Sequence, residues 1–165
     1  MSIDTEIQVK KGKCWTFSSQ DSFEQHREKI SELLGNFLKN WKSKNHPQVR
    51  GSWTMVEDHF LVIVGDDGVE PISGCNMDAL QRFVIKMGEQ LGIDFRDRSL
   101  FYKDGEGKVH GVSRGDFKAK IKEGEIKEST SVFNTIHTRI EDLFTQGFEV
   151  PLKDCWHYSL YKAVA

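Results

Sequence analysis

Lys13–Ser18 (KCWTFS) is a short β-prone run that reads as a first strand after a polar lead-in. Asp21-Ser22-Phe23-Glu24 then has the D-x-x-E form of a helix start, in which the Asp21 carboxylate accepts open backbone N–H groups and Glu24 reaches back. Phe23, Ile30, Leu33, Leu34, Phe37, Leu38 and Trp41 follow at steps of 3, 4 and 7, which predicts one apolar stripe on a helix running to about Ser43. Asn45, His46 and Pro47 stop it.

Gly51–Val56 and Phe60–Val64 are β-rich and flank Glu57-Asp58-His59, which predicts a hairpin with Trp53, Met55, Leu61 and Ile63 alternating with their neighbours. The loop from Gly65 to Pro71 ends the sheet. A second helix is expected to begin between Ser73 and Asn76, to bury Met77, Leu80, Val84, Met87 and Leu91, and to close at Gly92. Leu100–Tyr102 and Lys108–His110 lie either side of Asp104-Gly105-Glu106-Gly107 and read as another hairpin, its turn needing positive φ at glycine. Ser113–Asp116 caps a short helix with Phe117 and Ile121, and Gly124–Ser129 is a charged connection. Ser131–Asn134 is a strand, Thr138–Glu141 a third capping box, Gly147 a helix end, and Pro151 the start of a tail.

The order strand, helix, strand, strand, helix, strand fits an α+β fold with a ferredoxin-like, split βαβ sheet and two main helices. An extra hairpin and a helical C-terminal extension complete the expectation. The chain has 165 residues, which suggests a single domain over 1–165 with its core in 12–158 and tails at 1–11 and 159–165. No internal repeat or low-complexity segment interrupts it.

Composition narrows the function classes. The 23 basic and 25 acidic residues nearly cancel, without the basic excess of a protein that neutralises many phosphates. Lys10, Lys11 and Lys13, and Lys118, Lys120 and Lys122, form local basic patches that read as solvated faces. Cys14, Cys75 and Cys155 are odd in number and far apart, which fits neither a closed disulfide framework nor a zinc motif. The N-terminus lacks a signal-peptide core, and no apolar run approaches the ~18 residues of a membrane helix, so the expected location is cytoplasmic.

Neither G-x-x-x-x-G-K-[ST], G-x-G-x-x-G after a strand, H-E-x-x-H nor G-x-S-x-G occurs, which argues against an NTPase, a Rossmann enzyme, a zincin and an α/β-hydrolase. Asp66-Asp67, with Glu70 nearby, offers too few ligands for a calcium loop and reads as a solvated turn. Cys155-Trp156-His157 offers two metal ligands, but zinc needs two more and none is suitably spaced. No metal or cofactor is implied.

Ser73-Gly74-Cys75-Asn76-Met77-Asp78 carries the most chemistry. At a helix start, outward amides favour anions and lower a thiol's pKa, so Cys75 reads as a reactive thiolate or Ser73 and the amides as an anion site. The plainer reading has Ser73 or Asn76 capping the helix, Gly74 permitting the turn and Cys75 packing as a small hydrophobe. A cysteine nucleophile needs a base. His137 and His157 are the candidates among His26, His46, His59, His110, His137 and His157.

Together, Ser73–Asp78, Asp94-Phe95-Arg96-Asp97-Arg98, Val132-Phe133-Asn134 followed by Thr138, and Val150-Pro151 followed by Cys155-Trp156-His157 give the chain a family likeness. In this order they resemble an uncharacterised family of small proteins, mainly from Bacteroidetes, often labelled "ABC transporter ATPase". The resemblance spans about residues 12 to 158. The family has no established activity, and the ATPase label finds no support here, since neither a Walker A motif nor an ABC signature is present. The resemblance implies signature polar positions at Ser73, Cys75, Asp78, Asp97, Arg98, Asn134, Trp156 and His157.

Three functional expectations follow. The first is a non-catalytic binding module without NTPase activity, in which the Ser73–Asp78 helix start, Arg98, Asn134 and Trp156 frame a pocket for a small anionic ligand or a protein partner's acidic tail. The second is a thiol-dependent enzyme with Cys75 as nucleophile and His157 or His137 as base. The third is a homodimer formed through a sheet edge or the Trp156–Tyr161 stretch.

Overall fold

The fold is α+β in the computed structural model of the chain, which describes residues 11–42, 48–66, 68 and 72–165. Five α-helices and two antiparallel sheets occur among these residues. They divide into two compact units where chain length suggests one domain: residues up to Asp97 with His137–Thr145, and Arg98–Ile136 with Gln146–Ala165.

In the first unit, β1 (Lys13–Ser18), β2 (Arg50–Val56) and β3 (Phe60–Asp66) form a sheet in the order β1-β3-β2. Both β1 and β2 run antiparallel to β3, so they are parallel to each other with β3 inserted between them. Register sets Trp15, Ile63 and Trp53 in one row and Phe17, Leu61 and Met55 in the next. Because side chains alternate across a strand, these six share one face. Helix α1 (Arg27–Lys39) brings Ile30, Leu34 and Leu38 to that face, and helix α2 (Gly74–Leu91) brings Leu80, Val84 and Met87. The central strand β3 is buried on both sides, which explains its continuous apolar run.

Several boundaries differ from the sequence reading. Asp21 does not cap α1: a 3-10 turn at Glu24–His26 intervenes, the Glu24 N–H donates to Ser22 Oγ at 3.3 Å, and the helix proper starts at Arg27 without a side-chain cap. It ends at Lys39, short of Ser43, and Trp41 lies beyond it; the stop signals Asn45, His46 and Pro47 lie outside the described residues. Ser73 does cap α2, accepting the Asn76 N–H at 3.2 Å, and Gly92 closes it in the left-handed conformation at φ 71°.

The four strands of a ferredoxin-like sheet are not all found together. A single parallel bridge from Ser18 to Arg96 lies beside β1, as does an antiparallel one from Lys13 to Arg139. The next strand, β4 (Leu100–Lys103), belongs to the second unit's sheet, ordered β5-β4-β6-β7. There β5 is Val109–Val112, β6 Ser131–Phe133 and β7 Glu149–Pro151. β7 stands where the sequence predicts a tail beginning at Pro151. At the sheet edge its absent N–H is tolerated, and it pairs with Ser131. Helix α3 (Arg114–Lys122), capped by Ser113, and helix α5 (Tyr158–Val164) pack Phe117, Ile121 and Leu160 around Tyr102, Val132 and Leu152. The remaining helix, α4 (Ile140–Gln146), begins in the segment that returns to β1.

Candidate functional site

Ser73, Cys75 and Asp78 lie at the start of α2 in the first unit, whereas Arg98, Asn134 and Trp156 belong to the second. Several carry local structural duties. Ser73 caps α2. Asp78 is exposed and lies just past the first turn, with no acidic residue inside it. The buried Asn134 donates its N–H to Phe148 O at 2.8 Å, and its Oδ1 accepts the Ile136 N–H at 3.4 Å. Trp156, 39% exposed, stacks on His157 with ring centroids 4.0 Å apart. Asp97 donates its N–H to Ser18 O, and Arg98 is exposed.

The three thiols occupy different surroundings. Cys75 is exposed, and its sulfur has no hydrogen-bond partner among the described residues. Cys14 is buried, and its S–H donates to His137 O at 3.3 Å. Burial, and then the charges of Asp142 and Glu141, push that thiol up to about 12. Cys155 and His157 form a buried pair, Sγ to Nδ1, at 2.8 Å. Burial raises the thiol and lowers the imidazole to about 4, so both shifts favour the neutral forms of the pair. This pair is a core hydrogen bond rather than a thiolate–imidazolium nucleophile.

A labelling result follows. With iodoacetamide at about pH 8, native protein is expected to take one modification, at Cys75. A thiol with pKa about 12 is ionised only at roughly one part in 10⁴ at that pH. Peptide mass mapping checks this; equal native labelling of Cys14 or Cys155 would contradict the burial described.

Asp66 pairs with Arg50 at 2.6 Å and accepts the Gly68 N–H at 2.8 Å; Asp67 and Glu70 lie outside the described residues. No group of three or more metal-ligating side chains occurs among the described residues, and no helix is long and apolar enough to cross a membrane. Of the basic patches, Lys10 lies outside the described residues, and Lys120 pairs with Glu125 at 2.8 Å.

Part of the charged connection Gly124–Ser129, together with Lys153 and Tyr161, surrounds a hollow of about 360 Å³ in the second unit. Lys127, Glu128, Ser129, Lys153 and Tyr161 line it. Three pieces of backbone hold them. The Lys127–Thr130 turn is closed by Thr130 N–H to Lys127 O at 3.0 Å and by Lys127 N–H to Thr130 Oγ1 at 2.8 Å. That turn is tied to the 3-10 turn Leu152–Asp154 by Leu152 N–H to Thr130 O at 2.9 Å and Lys153 N–H to Glu128 O at 3.0 Å. The fully buried Leu152 anchors the second turn in the core. Helix α5 supplies Tyr161, and its Tyr158 hydroxyl donates to Glu128 Oε1.

Three described lysines are ion-paired, Lys29 with Glu32, Lys103 with Glu149 and Lys120 with Glu125, and most of the others are not. Lys127 and Lys153 make no ion pair among the described residues. Two exposed lysines without ion pairs, a glutamate, a serine and a tyrosine therefore line one concave surface, at the small end of the roughly 300–1,000 Å³ typical of ligand sites. No single stretch announces this arrangement, because its residues come from three separate parts of the chain. No protein-family model matches the chain, and the comparisons with curated proteins and with solved structures return no match.

Proposed function

We propose that this protein is a non-catalytic binding module for a small anionic ligand or a partner's acidic tail, and that the anion binds in the hollow between Lys127 and Lys153. The observation carrying this reading is the pair of unmatched ammonium groups on two mutually hydrogen-bonded turns. Charge-assisted hydrogen bonds are the strong ones, and the hydrogen-bonded turns fix the backbone from which both lysines extend. Ser129 adds a hydroxyl donor and Tyr161 a ring wall. We read the first unit's β1-β3-β2 sheet as an incomplete ferredoxin-like arrangement. The neutral Cys155–His157 pair and the isolation of the Cys75 sulfur speak for binding over thiol catalysis.

Titration with glutarate, followed by amide chemical shifts in the full chain, tests the proposal. Shifts are expected to concentrate at 127–130 and 153. Each hydrogen bond to a charged group contributes roughly 1.5–3 kcal/mol, so Lys127→Ala or Lys153→Ala should weaken binding about tenfold or more. Added salt should weaken it as well. Unchanged affinity in the Lys127→Ala, Lys153→Ala double variant would sink the assignment.

A further inference from the structure

Glu128 is hard to reconcile with a guest that is only an anion. It lines the same hollow as the two lysines, and its position is set from both ends. Its carbonyl accepts the Lys153 N–H at 3.0 Å, and its Oε1 accepts the Tyr158 hydroxyl. A carboxylate held on the wall opposes any purely anionic guest. Among the described residues it makes no ion pair, so neither lysine neutralises it. Tyr158 binds one oxygen and so orients the group, leaving Oε2 as an acceptor. Tyr161, whose ring stacks on Tyr158, also lines the hollow, and an aromatic face is a favourable neighbour for an ammonium group.

We infer that the hollow recognises a zwitterion, a small molecule carrying both an anionic group and an ammonium group, of which an amino acid is the simplest example. The anion sits with Lys127, Lys153 and Ser129, and the ammonium with Glu128 Oε2 and the Tyr161 ring. This rests on the anion reading above and adds to it a requirement for positive charge in the ligand. It also gives every lining residue a part.

Glutamate and glutarate carry the same two carboxylates, and only glutamate has the ammonium. Titrated into the full chain, glutamate is expected to bind at least tenfold more tightly, although glutarate has the larger negative charge. Glu128→Gln keeps an oxygen for the Tyr158 hydroxyl, so the turn stays in place. It is expected to weaken glutamate about tenfold and to leave glutarate unchanged or tighter. If glutarate binds as well as glutamate, and Glu128→Gln tightens both, the zwitterion inference falls while the anion site stands. If neither ligand shifts the amides at 127–130 and 153, both fall.

Discussion

Trp41→Ala is expected to destabilise the first unit by about 3–5 kcal/mol, the usual range for truncating a buried tryptophan. The indole is 1% exposed, and its N–H donates to Asn76 O at 2.9 Å. Its ring meets Trp15 edge-on at 5.7 Å and Phe37 at 5.8 Å. It also lies over two glycines of the sheet: a Cβ on Gly65 would stand 2.6 Å from the indole, and one on Gly51 3.2 Å. The chain leaves the sheet bare at these points so that the ring can lie against backbone. Gly65→Ala should therefore also destabilise, by about 1–3 kcal/mol through overpacking. Combining it with Trp41→Ala should cost less than the sum, since the truncation removes the clash. Urea denaturation of the two single variants and the double variant checks this; strict additivity would mean that the ring and the glycine do not share the space described. Domains are stable by only about 5–15 kcal/mol, so Trp41→Ala could leave the first unit largely unfolded.

The second large effect is a loss of stability in mild acid, carried by His157. Burial holds its imidazole down to about 4 from an ordinary 6.5. Between those values the unfolded chain binds a proton at this position and the folded chain does not. Stability therefore falls as the pH is lowered from about 6.5 toward 4, by up to about 3 kcal/mol at the lower limit. His157→Phe fits beside Trp156 and Phe117, which already flank the ring, and it cannot titrate. The variant should be somewhat less stable than wild type at neutral pH, having lost the bond with Cys155, and should lack most of the decline across this window. Urea midpoints at about pH 7, 5.5 and 4.5 measure both. A decline in the variant as steep as in wild type would assign the acid sensitivity elsewhere. Asp104 acts in a lower window. His110 above all, then the Lys108 and Glu106 N–H groups, hold its carboxyl at about 2 from an ordinary 3.8. Its contribution is present above the ordinary value and is lost only as the pH falls toward 2.

Local signals in the sequence were reliable where neighbouring residues decide the outcome. The bounds of β1, the Ser73 and Ser113 caps, the closure of α2 at Gly92 and the positive φ of Gly107 in the β4–β5 hairpin all depend on short-range chemistry. What the sequence did not reveal depends on pairing between distant segments. β4 meets β6 through Tyr102 and Val132, and that pairing places β4 in the second sheet. Nothing local to Leu100–Lys103 distinguishes this from joining β1. The start of α1 was misplaced because Asp21-x-x-Glu24 has the composition of a capping box without its geometry. Phe23 is drawn into the core, with its N–H donating to Asp58 O, and a 3-10 turn follows instead.

The candidate site follows the same division. Ser73, Cys75 and Asp78 stood out because they begin a helix, and the cap is what Ser73 forms. Cys155 and His157 are two residues apart and do meet, as a neutral pair in the core. Lys127, Ser129, Lys153 and Tyr161 carry no periodicity and no motif, and only the hydrogen bonds between two turns bring them to one hollow.

Crystals of the full chain grown in selenate would test that hollow by anomalous scattering. The expected result is a selenium peak within about 4 Å of both the Lys127 and Lys153 Nζ atoms, each of which then reaches a selenate oxygen at hydrogen-bonding distance, and no such peak in the Lys127→Ala, Lys153→Ala variant. Selenate ordered elsewhere on the molecule, with this hollow holding only water, would contradict the account.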